Sequence, residues 1–164
     1  MENFLEEPLQ KKFNEREKET IPTESEIEII LFDLLANIGT GDAINIGKQY
    51  QIDLLSTVNE LRDSGKRKEI AKNKNSYQKA ASGLFLILKE KFLKEKAKGI
   101  NAYLPFMERY LDKSVIAAEI SGDFEKILEI SKLKYDNLLQ QEELLEAKEL
   151  KNKISLLEQN LNTN

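Results

Sequence analysis

Six cationic side chains and one tyrosine crowd into a short span of this chain: Lys66, Arg67, Lys68, Lys72, Lys74, Tyr77 and Lys79. Cations at that density suit phosphates, and an aromatic ring among them can stack on a base. The basic stretch 62–79 is therefore the residue set best fitted to nucleic acid. Lysine dominates it, however, and lysine is a point charge where arginine forks onto phosphate or guanine. The same residues also describe a solvated turn whose cations pair with the acidic N-terminal arm or an acidic protein partner, and the charge pattern favours that reading. Residues 1–61 carry 5 basic and 13 acidic side chains, residues 62–98 carry 12 and 4, and residues 99–164 carry 8 and 12. A basic centre thus lies between two acidic flanks.

Other constellations fall short of a chemistry. Gly47-Lys48 supplies the end of a P-loop, but Asp42 stands where its first glycine belongs and Gln49 where its magnesium hydroxyl belongs. Counted from Asp42 as a calcium loop, Gly47 and Asp53 fall in register, yet Ile44 and Ile46 occupy ligand positions and offer no oxygen. Glu142, Glu143, Glu146 and Glu149 form an acidic ridge at helical spacing. A di-metal bundle would add histidines, and the chain has neither histidine nor cysteine. A solvated helix face accounts for the ridge. Asp33 interrupts an apolar run but lies off the stripe Ile27, Leu31, Leu34, Ile38, which places it on the polar side of its helix. No nucleophile elbow or glycine-rich strand-to-helix turn orders the remaining Ser, Lys and carboxylate groups. No catalytic residue, metal or cofactor is assigned, and the expected protein is not an enzyme.

The elements that carry these residues are expected to be helices throughout. Apolar residues make up 40 %, charged residues 33 %, and glycine and proline number only 7 and 3. That balance suits helices burying one stripe each. Thr23 with Glu26 reads as a capping box opening helix 24–38, with Gly39 beyond it as a left-handed stop. A second helix from Ala43 to Leu61, capped by Asp42, fits Ile46, Tyr50, Leu54, Val58 and Leu61; a small hairpin about Gly47-Lys48 is the weaker alternative. Gly65 ends that helix, and a basic connector follows. A third helix spans 76–98, with Ala80, Ala81, Ser82 and Gly83 small enough to admit a neighbour closely. A fourth covers 101–121, with Pro105 in its first turn.

Asp123 then caps a helix that no proline or glycine interrupts from Phe124 to Asn160, a rod of roughly 55 Å. Its far end narrows to Ala147, Leu150, Ile154, Leu157 and Leu161 at spacings of 3, 4, 3 and 4, a coiled-coil-like seam about two heptads long. The expected architecture is all-α, a helical bundle of four to five helices with a long C-terminal helix. Residues 1–22 form a mixed-charge arm, 23–138 the helical core, and 139–164 the coiled-coil-like extension. The expected function is that of an adaptor, scaffold or assembly protein acting on a protein partner or a second copy through the seam. The alternative is a nucleic-acid-binding protein using the basic stretch and dimerised by the same helix. No apolar run approaches the ~20 residues of a membrane span, so no membrane role and a cytoplasmic location are expected.

Overall fold

A computed structural model describes residues 22–99 and 104–163. The expectation for the N-terminal arm falls, Pro22 apart, outside the described residues. Among the described residues there are eight α-helices: α1 (Glu24–Leu35), α2 (Thr40–Tyr50), α3 (Leu54–Arg62), α4 (Ser64–Lys72), α5 (Lys74–Ala97), α6 (Leu104–Ser121), α7 (Phe124–Gln140) and α8 (Leu144–Thr163). The all-α expectation holds, while the count of four to five does not. Two expected helices are each split, and the basic connector is itself a helix; five segments thereby become eight.

The first split separates α2 from α3. Gln51 adopts the left-handed conformation (φ 57°, ψ 42°) just past α2. The Ile52 N–H donates back to the Gly47 carbonyl at 2.9 Å, and the Gln51 N–H to the Lys48 carbonyl at 3.3 Å. This is a Schellman turn, which normally recruits glycine to the left-handed position. Glycine is instead used four residues earlier, because a β-carbon on Gly47 would come within 2.6 Å of the Ile52 oxygen. The chain can fold back over α2 only where α2 has no side chain. Residues 43–50 are thus helical rather than a hairpin, and Gly47 serves the turn after it.

The second split breaks the expected C-terminal rod. Glu142 takes φ 60°, the Glu143 N–H reaches the Leu138 carbonyl at 2.9 Å, and the Glu142 N–H reaches Leu139 at 3.1 Å. It is the same motif with a glutamate at the left-handed position. The chain reverses there, and α8 packs back along α7. No 55 Å rod exists; two helices form an antiparallel hairpin.

Between these breaks the helices are punctuated by side-chain caps. Thr23 opens α1 as expected, its Oγ1 accepting from the Glu26 N–H at 3.2 Å. Gly39 is extended (φ −96°, ψ 162°) and opens α2, where a left-handed stop had been expected. Asp53, Asp63 and Asn73 recur every ten residues and accept from the N–H three places on, at Ser56 (3.0 Å), Lys66 (3.1 Å) and Ser76 (3.0 Å). Asp63 and Asn73 each end one helix and begin the next, so a single polar residue turns the chain. Gly65, expected as a stop, lies in the first turn of α4.

Helix α5 is the axis on which the rest assembles. Leu84, Phe85, Ile87, Leu88 and Phe92 are completely buried along it. Each such side chain contributes about 1.5–3 kcal/mol relative to exposure. Helices α1, α2, α3 and α4 all contact α5, and α6 runs along it. The α5–α6 pair is antiparallel: Lys91 lies over the Tyr110 ring, while Gln78 meets Gly122 at the opposite end. The run of small residues on α5 works as expected, since a β-carbon on Gly83 would stand 3.2 Å from Leu54 of α3. Helix α7 is tied to α5 where the buried Lys89 ammonium meets Glu129 at 2.9 Å. Among the described residues, no helix is long and apolar enough to cross a membrane.

Candidate functional site

The seven residues of the basic stretch do not share a role. Arg67 is turned inward and only 8 % exposed. Its Nη1 donates to the Leu61 carbonyl at 2.8 Å, its Nη2 lies 3.3 Å from the Glu28 carboxylate, and Phe32 roofs its guanidinium at 4.6 Å. Arg67 thereby pins α1, α3 and α4 together, which also explains an exposed phenylalanine. Tyr77 is half-buried against the core. Lys72 faces Glu69 at 3.4 Å. Lys66, Lys68, Lys74 and Lys79 are exposed and form no ion pair among the described residues. Lys66 and Lys68 stand about 200° apart around α4 and flank its buried side rather than share one face.

At the other end of the chain, the expected seam lies inside the α7–α8 hairpin. Ala147, Ile154 and Leu157 are buried, and Leu150 and Leu161 are half-buried. Lys132 of α7 reaches Glu158 at 3.8 Å, and Lys153 reaches Glu119 of α6 at 3.9 Å, so α8 lies beside both helices. The narrow stripe is covered by the chain's own helices.

A different set of leucines faces outward. Leu145 is 73 % exposed, Leu144 65 %, Leu156 53 % and Leu139 41 %. Leu145 and Leu156 are about three helical turns apart and project from one side of α8, opposite Ala147 and Ile154. Sequence reasoning followed only the seam. The apolar residues of "QQEELLEAKEL" keep no single helical phase, because a turn at Glu142 resets it in the middle of that segment. The legible signal was the second stripe, Leu145 to Leu156, carried with the seam on one short helix.

A third candidate is a cleft of about 410 Å³ between α2 and α5, where Asp42, Gln49, Glu90, Lys91 and Lys94 face one another. Its charges are largely used in holding α2 onto α5. The Lys91 ammonium donates to Asp42 and to the Asn37 carbonyl, both at 2.7 Å, and the Gly39 N–H donates to Asp42 at 2.9 Å. Burial pushes the Asp42 carboxyl up, but the Lys91 and Gly39 hydrogen bonds and the charges of Lys91 and Lys94 outweigh it and hold the group below its usual value. Beside the cleft, the Tyr50 hydroxyl donates to Glu90. That bond first, then burial, then the charges of Glu90 and Glu129 push the phenol up to about 12. Asp42, expected to cap a helix from Ala43, instead lies in the first turn of α2, where its carboxylate accepts from the N–H of the N-cap Gly39 and clasps Lys91.

Asp33 is exposed, as expected, and pairs with Lys113 of α6. The ridge Glu142, Glu143, Glu146 and Glu149 is exposed along the turn and the start of α8. Among the described residues, no three His, Cys, Asp or Glu side chains come together in a way that could hold a metal ion. No family model, curated protein or solved structure compared with the chain matches it.

Proposed function

We propose that the chain is a non-enzymatic helical interaction protein that assembles with a protein partner or a second copy through its C-terminal hairpin. The supporting observation is the outward leucine face: Leu145 and Leu156 remain more than half exposed although α8 already covers its seam. Burying one such side chain yields about 1.5–3 kcal/mol, so leaving several in water favours an apolar partner surface. The contact surface is thus the opposite face of the helix from the seam Ala147, Leu150, Ile154, Leu157 and Leu161. Those five residues hold the hairpin that displays it.

Light scattering across a concentration series tests this reading, comparing the full chain with Leu145→Glu/Leu156→Glu. A multimeric mass in the parent chain that falls to a single chain in the variant is the expected result. A parent chain that stays monomeric removes self-association and leaves only a heterologous partner. Equal multimeric masses would move the contact elsewhere on the surface.

Lys66, Lys68, Lys74 and Lys79, exposed and without ion pairs among the described residues, favour a second reading, nucleic-acid binding. Retention on immobilised DNA should then fall steeply between ~50 and ~200 mM salt. Indifference to salt over that range would dismiss a phosphate-dominated contact.

A further inference from the structure

A second feature of the C-terminal half lies on neither the leucine face nor the basic stretch. Helices α6, α7 and α8 enclose a cleft of about 250 Å³ near the hairpin turn. Glu108 and Asp112 of α6 border it on one side, Glu143 and Glu146 on the other, and Leu111 and Leu138 give it apolar wall. Against these four carboxylates stands one cation, Lys134, 3.8 Å from Asp112. Burial, and after it the charges of Glu108 and Glu146, push the Asp112 carboxyl up despite Lys134 and Lys113. The cleft therefore holds negative charge that its own residues do not neutralise.

Two carboxamides make this more than an acidic cluster. Asn137 lines the cleft at 4 % exposure, and its side chain makes no hydrogen bond among the described residues. Gln141 lines it too, and its Nε2 is buried with no acceptor. Buried polar groups are normally paired, and an orphaned donor beside an orphaned carboxamide calls for a ligand with both kinds of group. The carboxylates border the cleft from two sides, and among the described residues no three are placed for a metal ion. That arrangement suits an extended organic cation, which can hydrogen-bond to several acceptors along its length.

We infer that this cleft binds a lysine residue of a peptide segment, its ammonium held by the carboxylates and the Asn137 carboxamide and its main-chain carbonyl accepting from Gln141 Nε2. The methylenes of the lysine lie on Leu111 and Leu138, as such stems do on apolar surface. The inference does not depend on the leucine face; a monomeric protein can show it.

The test uses the full chain, with Nα-acetyl-lysine N-methylamide as probe and nuclear magnetic resonance of the Asn137 and Gln141 side-chain amides as readout. Saturable shifts of both amides are expected in the millimolar range. Affinity should weaken about tenfold in Glu108→Gln/Glu146→Gln, which alters exposed side chains only. The norleucine analogue, with the same carbonyl and no charge, should fail to saturate. Putrescine, a cation with no carbonyl, should leave the Gln141 amide unmoved. Absence of saturation up to ~50 mM probe overturns the site. Equal binding of the norleucine analogue overturns the role of the ammonium, and equal perturbation of Gln141 by putrescine overturns the peptide assignment.

Discussion

The Ile52 carbonyl oxygen stands 2.6 Å from the point where a β-carbon on Gly47 would lie. Helix propensity alone would make Gly47→Ala stabilising by about 1 kcal/mol. The contact reverses that sign, because backbone on both sides must move to admit a methyl group. Gly47→Ala should destabilise the protein by about 1–3 kcal/mol, as overpacking does. The midpoint of urea unfolding reads it; a more stable variant would mean that α2 runs on past Tyr50.

Glu142 is held at φ 60° without being glycine. A left-handed conformation costs an ordinary residue about 1–2 kcal/mol, so Glu142→Gly should raise stability by about 0.5–1 kcal/mol after its larger chain entropy is counted. In an unbroken rod the same change would cost about 1 kcal/mol. The direction of the shift in thermal midpoint therefore reports whether the hairpin exists in solution.

Arg67 and its neighbours Lys66 and Lys68 should separate cleanly. Arg67→Met leaves the Glu28 carboxylate and the Leu61 carbonyl without their shared donor and should cost about 2–4 kcal/mol. Lys66→Ala and Lys68→Ala, both exposed, should change stability by no more than about 0.5 kcal/mol. Denaturant titration of the three variants settles whether the basic stretch is one surface or two kinds of residue.

Asp112 is pushed up from 3.8 in the folded protein, which means that its ionisation opposes folding. Stability contributed by the protonated form is lost as pH rises from 3.8 through the raised folded value, and the penalty is constant above it. Asp112→Asn should accordingly raise the thermal midpoint at neutral pH. The advantage should vanish as pH falls below 3.8. A variant equally or less stable at neutral pH would show that the Lys134 pair outweighs the surrounding acids.

Tyr50 should ionise late. Its phenol is pushed up to about 12 from 10.0, so the stabilisation from the neutral hydroxyl is complete below pH 10.0 and lost as pH rises through about 12. Ultraviolet titration of the phenolate should show a step near 12 that Tyr50→Phe removes. A step unchanged by that substitution would dismiss the Glu90 bond as its cause.

Much of the architecture was legible from periodicity and caps. Ile27, Leu31 and Leu34 form one face of α1, Thr23 opens that helix, and Leu84, Leu88 and Phe92 form the face that α5 buries. These depend on neighbours three or four residues apart, which a sequence displays directly. The two missed turns share one physical reason. At Gln51 and at Glu142 the left-handed position lacks the glycine that normally announces it, and tertiary packing holds each residue there. Asp53, Asp63 and Asn73 could have been read as caps every ten residues, but Asp53 sits inside a plausible apolar pattern, and Asp63 and Asn73 flank a basic segment whose composition resembles a connector.

The candidate surfaces were less legible, since a stripe of leucines shows its spacing but not its occupant. Ala147, Ile154 and Leu157 have coiled-coil spacing whether they meet another chain or α7 of their own. Likewise Arg67 among lysines gives no sign of pointing inward until Glu28, 39 residues earlier, is brought beside it. Composition and local spacing sufficed for an all-helical chain, its caps and the faces it buries, because those follow from the backbone's own period and its unpaired end groups. Which helix covers which stripe, which cation is buried and where the acids gather depended on two reversals of the chain, and those arise from contacts between residues that no local spacing relates.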